Sequence, residues 1–399
     1  MIREDVMRRT DHPQSLPAEL QTFRDACPLL ETCIYLANCS QGPQSLPVRA
    51  AIEAFLDDWA GLGMHWDAWV TEVEQARAAF AALIGAETGE IAVGSSVSQL
   101  VSSVASALVK SPALTRRRIV SSVAEFPGVA HAWLATQAHG FHVDLLPGSD
   151  KGLVETQHFV TAIDESTVLV SAPHVCYANG LMLDLNAISA AAHAQGSFVF
   201  VDAYQSAGSV PIDVKASGVD FLAAGTLKYL LGTAGIAFLY VNRAVLEQLE
   251  PTVTGWFGRV DPFAFNPAQL DYAARAARFD LGTPPLINAY AARAGIELVM
   301  AAGVERIRRQ LERLSELAYR LASQSGLHIT GSQHIHQQGA TTAIDASSPE
   351  NAHRLEEELR RRSVIVSARG RAIRLAPHGY TREEEMEQAI DTVAELLRS

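Results

Sequence analysis

Between residues 91 and 241, short apolar runs alternate with longer segments whose apolar residues lie three and four positions apart. Runs of the first kind are typical of buried strands, and segments of the second kind are typical of amphipathic helices. Their alternation predicts a parallel sheet covered by helices on both faces. The predicted strands span residues 91–95, 117–126, 142–148, 167–175, 198–202, 221–225 and 235–241. A short connection separates the last two, so we expect them to pair antiparallel.

The pattern changes after this sheet. Residues 245–267 are rich in proline, glycine and aromatic side chains, which predicts an irregular excursion. A helical pattern follows from about residue 285 to residue 323, with a break near AAGVER, and short strands then alternate with two charged helices. We therefore expect an N-terminal arm that contributes to the small domain and the active site (1–44), a large α/β domain (45–290), and an interdomain helix followed by a small α+β domain (291–399).

Composition narrows the classes of partner. The chain has 399 residues, 48% of them hydrophobic, enough for one large core and a smaller one. A formal net charge of -12 disfavours phosphate backbones and anionic lipid surfaces, so neither nucleic acid nor a membrane is expected as a partner. No GxGxxG motif follows an early strand, which argues against a nicotinamide cofactor. The cysteines show no metal-ligand spacing, which predicts free thiols in a cytoplasmic protein without a metal site: Cys27, Cys33, Cys39 and Cys176.

A lysine and an aspartate are the first candidates for chemistry. The apolar run FVFVD ends at Asp202, and ligands bind at the carboxyl edge of strands in open parallel sheets. Lys228 lies beyond the next predicted strand, so the fold can bring both side chains to the same edge. Two interpretations are open. Lys228 either pairs with Asp202 or reaches solvent, or it is a buried amine whose lowered pKa makes it a nucleophile toward carbonyl groups.

Distinctive sequence blocks occur in order along most of the chain. They are YLANCSQGP, SSVSQL, EFPGVAHAW, SAPHVCYANG, VDAYQSAG, the segment around Lys228, GWFG, RFDLGTPP and AIRLAPHGYTREEE. As an ordered set they resemble the class V aminotransferase superfamily of pyridoxal 5'-phosphate (PLP) enzymes, which includes kynureninases, cysteine desulfurases and isopenicillin N epimerase-like proteins. The resemblance implies fold type I of PLP-dependent transferases: a large α/β domain with a mainly parallel seven-stranded sheet between helices, and a smaller α+β C-terminal domain.

The resemblance assigns roles around the cofactor ring. It implies that Lys228 holds PLP as a Schiff base and that Asp202 keeps the pyridine nitrogen protonated, so that the ring can accept electrons. Gln205 is expected to hydrogen-bond the phenolate oxygen, or else to be a turn residue satisfied by the backbone. Phe126 matches the aromatic residue that stacks on the ring in kynureninase-like enzymes. Taken alone, Phe126 would be a core residue.

The cofactor phosphate is expected at the start of the helix that follows GSSVSQ. By resemblance the donors are the Ser98 hydroxyl and the Val97 amide, with Ser96 next and Thr226 as a further hydroxyl. The simpler alternative is plain helix capping by serine. Thr283, in GTPP, matches a residue that reaches the phosphate of a neighbouring subunit, which implies a homodimer with shared active sites. A helix-entry turn is the alternative for that segment.

Substrate recognition is expected to depend on Arg374. It matches the arginine that binds the substrate carboxylate, and a planar guanidinium suits this group. The alternative is a structural ion pair with the acidic run REEE. Asn38, Trp256 and Tyr177 are further candidates for the substrate pocket.

The reaction is less defined than the cofactor. No cysteine occurs after Cys176, which argues against the persulfide mechanism of cysteine desulfurases. Leu227 also departs from the histidine of desulfurases and the tyrosine of kynureninases. The blocks around Phe126, Trp256 and Thr283 favour a kynureninase-like or carbon-sulfur lyase or hydrolase. An aminotransferase or epimerase is the second hypothesis, and a non-catalytic scaffold is the third.

Overall fold

The apolar runs in the middle of the chain form one sheet. The computed structural model describes residues 15–111, 114–149, 152–332 and 334–398. Strand β1 (Ile34–Tyr35) belongs to the smaller lobe. The sheet consists of β2 (Ile91–Gly94), β3 (Arg118–Ser122), β4 (His142–Leu146), β5 (Thr167–Pro173), β6 (Phe198–Asp202), β7 (Phe221–Gly225) and β8 (Ala237–Val241).

The strand order places the ends of the parallel strands together. The order is β2-β8-β7-β6-β5-β3-β4, and the pairs among β3 to β7 are parallel. Strand β8 is antiparallel to both β2 and β7, which confirms the pairing expected for the last two strands. The carboxyl ends of β3, β5, β6 and β7 therefore lie along one edge, where ligands bind in open sheets of this kind.

Helices cover both faces of this sheet. They are α1 (Ala18–Asp25), α2 (Leu46–Leu62), α3 (Trp66–Leu83), α4 (Val97–Lys110), α5 (Pro127–Ala135), α6 (Thr156–Ala162), α7 (Leu185–Ala194), α8 (Val214–Ser217), α9 (Arg243–Leu246) and α10 (Leu286–Ala302) in the first three quarters of the chain. Val199 and Val201 of β6 face a core shared with α3, α7 and α10, whereas Phe200 faces a core shared with α4 and α5. Successive strand residues point to opposite faces, so both faces of the strand are buried. The α/β fold class is confirmed.

The excursion after β8 is irregular, as its composition predicts. It contains short 3-10 turns at Trp256–Gly258, Pro262–Ala264 and Ala276–Phe279. A buried ion pair anchors its end: Asp280 Oδ2 accepts from Arg77 Nη2 of α3 at 2.7 Å, and Asp280 Oδ1 accepts from the Val93 amide at 2.7 Å. The segment that leads into α10 is thereby fixed to the edge of the sheet.

A smaller lobe follows α11 (Val304–Gln324). Its elements are β9 (Thr342–Asp345), α12 (Pro349–Arg361), β10 (Val364–Ile365), β11 (Ser367–Arg369), β12 (Ala372–Leu375) and α13 (Glu383–Arg398). Strands β11, β12 and β9 form an antiparallel sheet, and β1 pairs with β10 in parallel. Gly303, with a φ of 84°, separates α10 from α11 near the expected break. Helix α10 continues across residue 290, and the domain limits at 44 and 290 remain predictions.

The described ranges lack two features that would point to a membrane or a metal. In those ranges no helix is long and apolar enough to cross a membrane. Nor do they contain a group of three or more histidine, cysteine, aspartate or glutamate side chains that could hold a metal ion.

Candidate active site

Lys228 and Asp202 lie at one small cavity. Asp202 is the last residue of β6, and Lys228 follows the end of β7 by three positions. Because these strands are neighbours, their ends present both side chains at the same edge. The cavity is lined by Phe126, Pro173, Val175, Tyr177, Asp202, Tyr204, Gln205 and Lys228. Of the candidate residues, it brings together Lys228, Asp202, Gln205, Phe126 and Tyr177.

The Lys228 amine has no close carboxylate partner. Within the described part of the chain, no carboxylate oxygen lies within 4 Å of its Nζ. Burial lowers the pKa of the amine to about 8, and the negative charge of Asp202 opposes this shift. The Nζ atom lies 4.3 Å from the centroid of the Tyr204 ring and 5.5 Å from that of Phe126. Of the two interpretations of the lysine, this geometry favours the amine available for reaction over the ion pair.

Two buried carboxyl groups accompany the amine. Asp202 is 6% exposed, and its Oδ1 accepts from the Tyr204 backbone amide at 2.8 Å. Burial raises the pKa of Asp202, whereas Lys228 opposes that shift. Glu125 accepts hydrogen bonds from the Phe126 amide and the Ser171 hydroxyl. Burial and the charge of Asp202 raise the pKa of Glu125 to about 8.

Gln205 is anchored by one end of its amide. Its Nε2 donates to the Cys39 carbonyl at 2.9 Å, and its Oε1 is buried with no hydrogen-bond partner among the described residues. A buried polar atom without a partner costs free energy unless another group satisfies it. The remaining hydrogen-bonding capacity of this amide is therefore available to a ligand in the cavity.

Arg374 is buried beside the cavity wall. Its Nη1 donates to the Tyr177 carbonyl at 2.7 Å, and its Nη2 donates to the hydroxyls of Ser367 at 2.7 Å and Ser40 at 3.0 Å. Its Nε is buried without a hydrogen-bond partner within the described ranges. No described carboxylate lies within 4 Å of the guanidinium, so the alternative of an ion pair with REEE is wrong. The nearby acid Glu385 pairs with Arg24 instead.

The phosphate candidates lie at the N-terminus of α4. Val97 is its first residue, and the Ser96 hydroxyl accepts from the Gln99 amide at 3.2 Å, so Ser96 acts as a helix cap. The Ser98 hydroxyl lies close to Gly128, since a Cβ on that glycine would come within 2.6 Å of it. The start of α5, which carries Phe126 as its N-cap, is thus brought against the start of α4. Thr226 donates its hydroxyl to the Thr233 carbonyl at 3.0 Å and braces the lysine turn.

Like the phosphate candidates and Arg374, the remaining three candidates do not line the cavity. Asn38 is fully buried, where it donates to the Ala376 carbonyl and accepts from the Tyr380 hydroxyl. Trp256 packs in an aromatic cluster with Phe257, Phe263 and Phe265, and Thr283 is exposed on the surface of the chain. Their expected roles remain predictions.

Several residues of the site were not singled out in the sequence. Glu125 and Tyr204 adjoin predicted positions, and an acid directly after an apolar strand was the available signal for Glu125. The hydroxyls of Ser40 and Ser367 hold Arg374 from 334 and 7 positions away along the chain. Such contacts form only in the folded lobe, so no local sequence pattern predicts them.

A family profile matches most of this chain. The family is described as aminotransferase class-V, and the match covers residues 34–386. The chain belongs to the class V aminotransferase family. This family is PLP-dependent, so the protein is a PLP-dependent enzyme of that family.

Relatives and solved structures agree with this family. The chain is 40% identical over 375 residues to the uncharacterized aminotransferase YcbU of Bacillus subtilis (strain 168), covering 94% of this chain and 97% of the relative. It is 30% identical over 314 residues to a kynureninase of Pseudomonas fluorescens, covering 76% and 74%. A structure of a C-DES mutant with glycine covalently linked to its PLP cofactor superposes with a TM-score of 0.83 at 21% identity, covering 93% of this chain and 99% of that one.

The cavity of this class V family member suits the cofactor. The described residues supply an amine without a carboxylate partner, a buried carboxylate at a strand end and a partly exposed aromatic ring at the start of α5. The unsatisfied Gln205 Oε1 and Arg374 Nε show that polar groups around the cavity have hydrogen-bonding capacity left for a ligand. Lys228, Asp202, Phe126 and Gln205 are the residues that would hold PLP, and this assignment remains a prediction.

Proposed function

We propose that this enzyme acts on an amino acid through Lys228 and cleaves a bond beyond the substrate Cα, as a kynureninase-like or carbon-sulfur lyase or hydrolase. The observation that carries the assignment to Lys228 is its amine, which has a pKa lowered to about 8 and lies at one cavity with Asp202. Roughly a tenth to a fifth of such an amine is neutral near physiological pH, far more than of an ordinary lysine, and the neutral form can attack an aldehyde. The lysine is therefore suited to covalent binding without any activating base.

Different residues of the chain have different roles in the proposed reaction. When bound, PLP supplies an electron sink for a bond broken at the substrate Cα. Asp202 offers a buried negative charge that holds a proton on a ring nitrogen, and Phe126 supports the flat ring. Lys228, once free, accepts and returns the Cα proton as a general base, for which a pKa near the working pH is suited.

Arg374 is the proposed anchor of the substrate carboxylate. Its guanidinium is held by the Ser40 and Ser367 hydroxyls and the Tyr177 carbonyl, all neutral groups, so its charge is not compensated by a described acid. A carboxylate that enters the cavity supplies the missing negative charge and accepts parallel hydrogen bonds. Anchoring of this kind selects amino acids over simple amines.

The lyase and aminotransferase hypotheses have different support. The identity of 30% to a kynureninase, together with the lack of a cysteine after Cys176, supports cleavage beyond Cα without a persulfide. The identity of 40% to a protein named as an aminotransferase supports amino-group exchange as the second hypothesis. Both share the roles of Lys228, Asp202 and Arg374.

We propose that the active enzyme is a cytoplasmic homodimer. Phe263 and Phe265 are 48% and 71% exposed, and both pack on Trp256 in the excursion after β8. Exposed aromatic clusters of this kind are typical of protein interfaces. A partner subunit over this surface would bring Trp256 and Thr283 toward an active site. The free cysteines of the described chain support a reducing compartment.

A panel of amino acids tests the reaction. The purified holoenzyme is incubated with each amino acid in the absence of any oxo acid, and its absorbance and released products are recorded. A lyase keeps its cofactor absorbance and releases product over many turnovers. An aminotransferase loses the absorbance after one turnover and recovers it on addition of an oxo acid. No change with any amino acid, despite covalently bound PLP, would favour the non-catalytic scaffold.

A further inference from the structure

We propose that Tyr204 is a positioning residue for Lys228: its ring holds the protonated amine, and its hydroxyl holds the turn that carries the lysine. The inference rests on the proposed function, because a free Lys228 amine has to carry a proton during turnover. Tyr204 has no role in the mechanism proposed above. Tyr204 lies between Asp202 and Gln205 in the DAYQ stretch and lines the same cavity.

Tyr204 contacts both members of the reactive pair. Its backbone amide donates to Asp202 Oδ1 at 2.8 Å, and the Lys228 Nζ lies 4.3 Å from its ring centroid. An ammonium within about 6 Å of an aromatic face is attracted by the negative ring surface. The Phe126 ring is farther from the amine, at 5.5 Å. Tyr204 therefore supplies the stronger of the two aromatic contacts.

The phenol end of Tyr204 packs against the turn after β7 that carries Lys228. A Cβ on Gly225, the last residue of β7, would lie 2.2 Å from both Cζ and Oη of Tyr204, so only glycine leaves room for the ring there. Burial raises the pKa of the phenol, and the nearby Leu227 backbone amide opposes this shift. The hydroxyl therefore stays protonated and neutral. Leu227 is the residue directly before Lys228, so this contact fixes the start of the lysine side chain.

The ring acts on the proton affinity of the amine. Burial disfavours the ammonium, and so do the positive charges of Arg374 and Arg369. Asp202 and Cys39 act in the opposite direction. The face of Tyr204 adds to the groups that favour the ammonium, and it does so without a carboxylate that would trap the amine in an ion pair. The amine can thus hold a Cα proton and give it back.

The test measures the pKa of Lys228 in the apoprotein, where cofactor chemistry plays no part. Trinitrobenzenesulfonate labels neutral amines, and peptide mass spectrometry gives the rate of labelling at Lys228 as a function of pH. Replacement Tyr204→Leu removes the ring, and we expect the pKa of Lys228 to fall by roughly 0.5 to 1 unit. Tyr204→Phe keeps the ring and should leave the pKa unchanged, but should speed hydrogen exchange at the Leu227 amide.

A second replacement covers the case in which Tyr204→Leu does not fold. Pentafluorophenylalanine at position 204 keeps the shape of a ring but removes its negative face, so the pKa of Lys228 should fall relative to Tyr204→Phe. An unchanged pKa in the fluorinated protein, or an equal fall with Tyr204→Phe, would overturn the proposal. Failure of the proposed function would show differently: PLP would not bind Lys228, while the pKa of the amine still responded to the ring.

Discussion

Two cations beside the same sheet are held in opposite ways. Arg77 is 2% exposed and is paired with Asp280 at 2.7 Å, and it also donates to the Ile91 carbonyl. Lys228 is half-buried at its cavity, but it has no carboxylate within 4 Å of its Nζ among the described residues and faces two aromatic rings. The charge of Arg77 is compensated within its own chain. The Lys228 amine has no such partner.

The difference shows how burial can serve structure or reactivity. A buried ion pair with good geometry keeps both charges, so the pKa of Arg77 is raised by Asp280 against the effect of desolvation. A buried amine without such a partner gives up its proton more easily, so the pKa of Lys228 is lowered. One of these two cations therefore keeps its charge through a partner in the chain, and the other gives up its proton more easily.

The largest effect is expected from breaking the paired cation. Replacement Asp280→Asn leaves Arg77 buried without its counter-charge, which should cost about 3–5 kcal/mol in the free energy of unfolding. Urea denaturation of the two proteins measures the difference. Glu74→Gln is the matched control, because Glu74 also contacts Arg77 but is 37% exposed, and its loss should cost less than about 1 kcal/mol. If both replacements lowered the free energy of unfolding equally, burial would not explain the different strengths of the two contacts with Arg77.

Arg374 is a third cation for this comparison. It is buried and, like Lys228, has no described carboxylate within 4 Å. Replacement Arg374→Lys keeps the charge but loses the planar fork, so kcat/KM for the amino acid that reacts in the panel should fall by about 100-fold. The cofactor absorbance should stay unchanged. Arg371→Lys, at an exposed arginine that pairs with Asp345, is the control and should have no effect. A change of less than about threefold with Arg374→Lys would remove this residue from the substrate site.

Removal of the unpaired cation should stabilise the apoprotein. The pKa of Lys228 is about 8 in the folded state against 10.5 as the ordinary value, so the unfolded state binds more protons between these limits. The cost of burying the charge is full below pH 8 and is relieved as the pH rises toward 10.5. Lys228→Met should therefore raise Tm at pH 7 by about 2 °C or more, with a smaller gain at pH 9.5. A lower Tm at pH 7 would contradict the unpaired state of the amine.

The smallest effect concerns the acidic side of the comparison. The pKa of Glu125 is about 8 in the folded state against an ordinary 4.5, so wild-type stability falls as the pH rises from 4.5 through 8. Glutamine can replace the neutral acid toward Ser171 and the Phe126 amide. The Tm of Glu125→Gln should match wild type near pH 4.5 and exceed it by about 1–2 °C above pH 8. A constant difference across this range would show that Glu125 does not titrate there.

The sequence predicted the fold better than it predicted the limits of each strand. The strands at 198–202 and 221–225 are apolar up to their last residues, Asp202 and Gly225, and the structure confirms both. The strand expected at 117–126 ends at Ser122, because the chain turns there to place Glu125 and Phe126 at the sheet edge. A turn that serves the site contains apolar residues and cannot be told from a strand by hydrophobicity alone.

The sequence predicted the site residues that follow strands. It did not predict those that come together where the two lobes meet. Lys228, Asp202 and Gln205 come from strand ends or the turns after them, which the alternating pattern locates. The Ser367 hydroxyl reaches Arg374 across the pair of strands β11 and β12, and the Ser40 hydroxyl reaches it from a segment 334 positions away along the chain. Trp256 is half-buried and Thr283 is exposed, neither lines the cavity, and their expected contribution to the site remains a prediction.

The central claim is that Lys228 is the covalent partner of PLP. The chain has lysines at only four positions, 110, 151, 215 and 228, so the attachment site can be mapped without ambiguity. The protein loaded with PLP is reduced with borohydride, digested and analysed by mass spectrometry, with Lys228→Ala as the control. We predict one modified peptide, carrying the cofactor on Lys228, and none in the control. Modification of another lysine at equal yield, or an unmodified Lys228, would contradict the account.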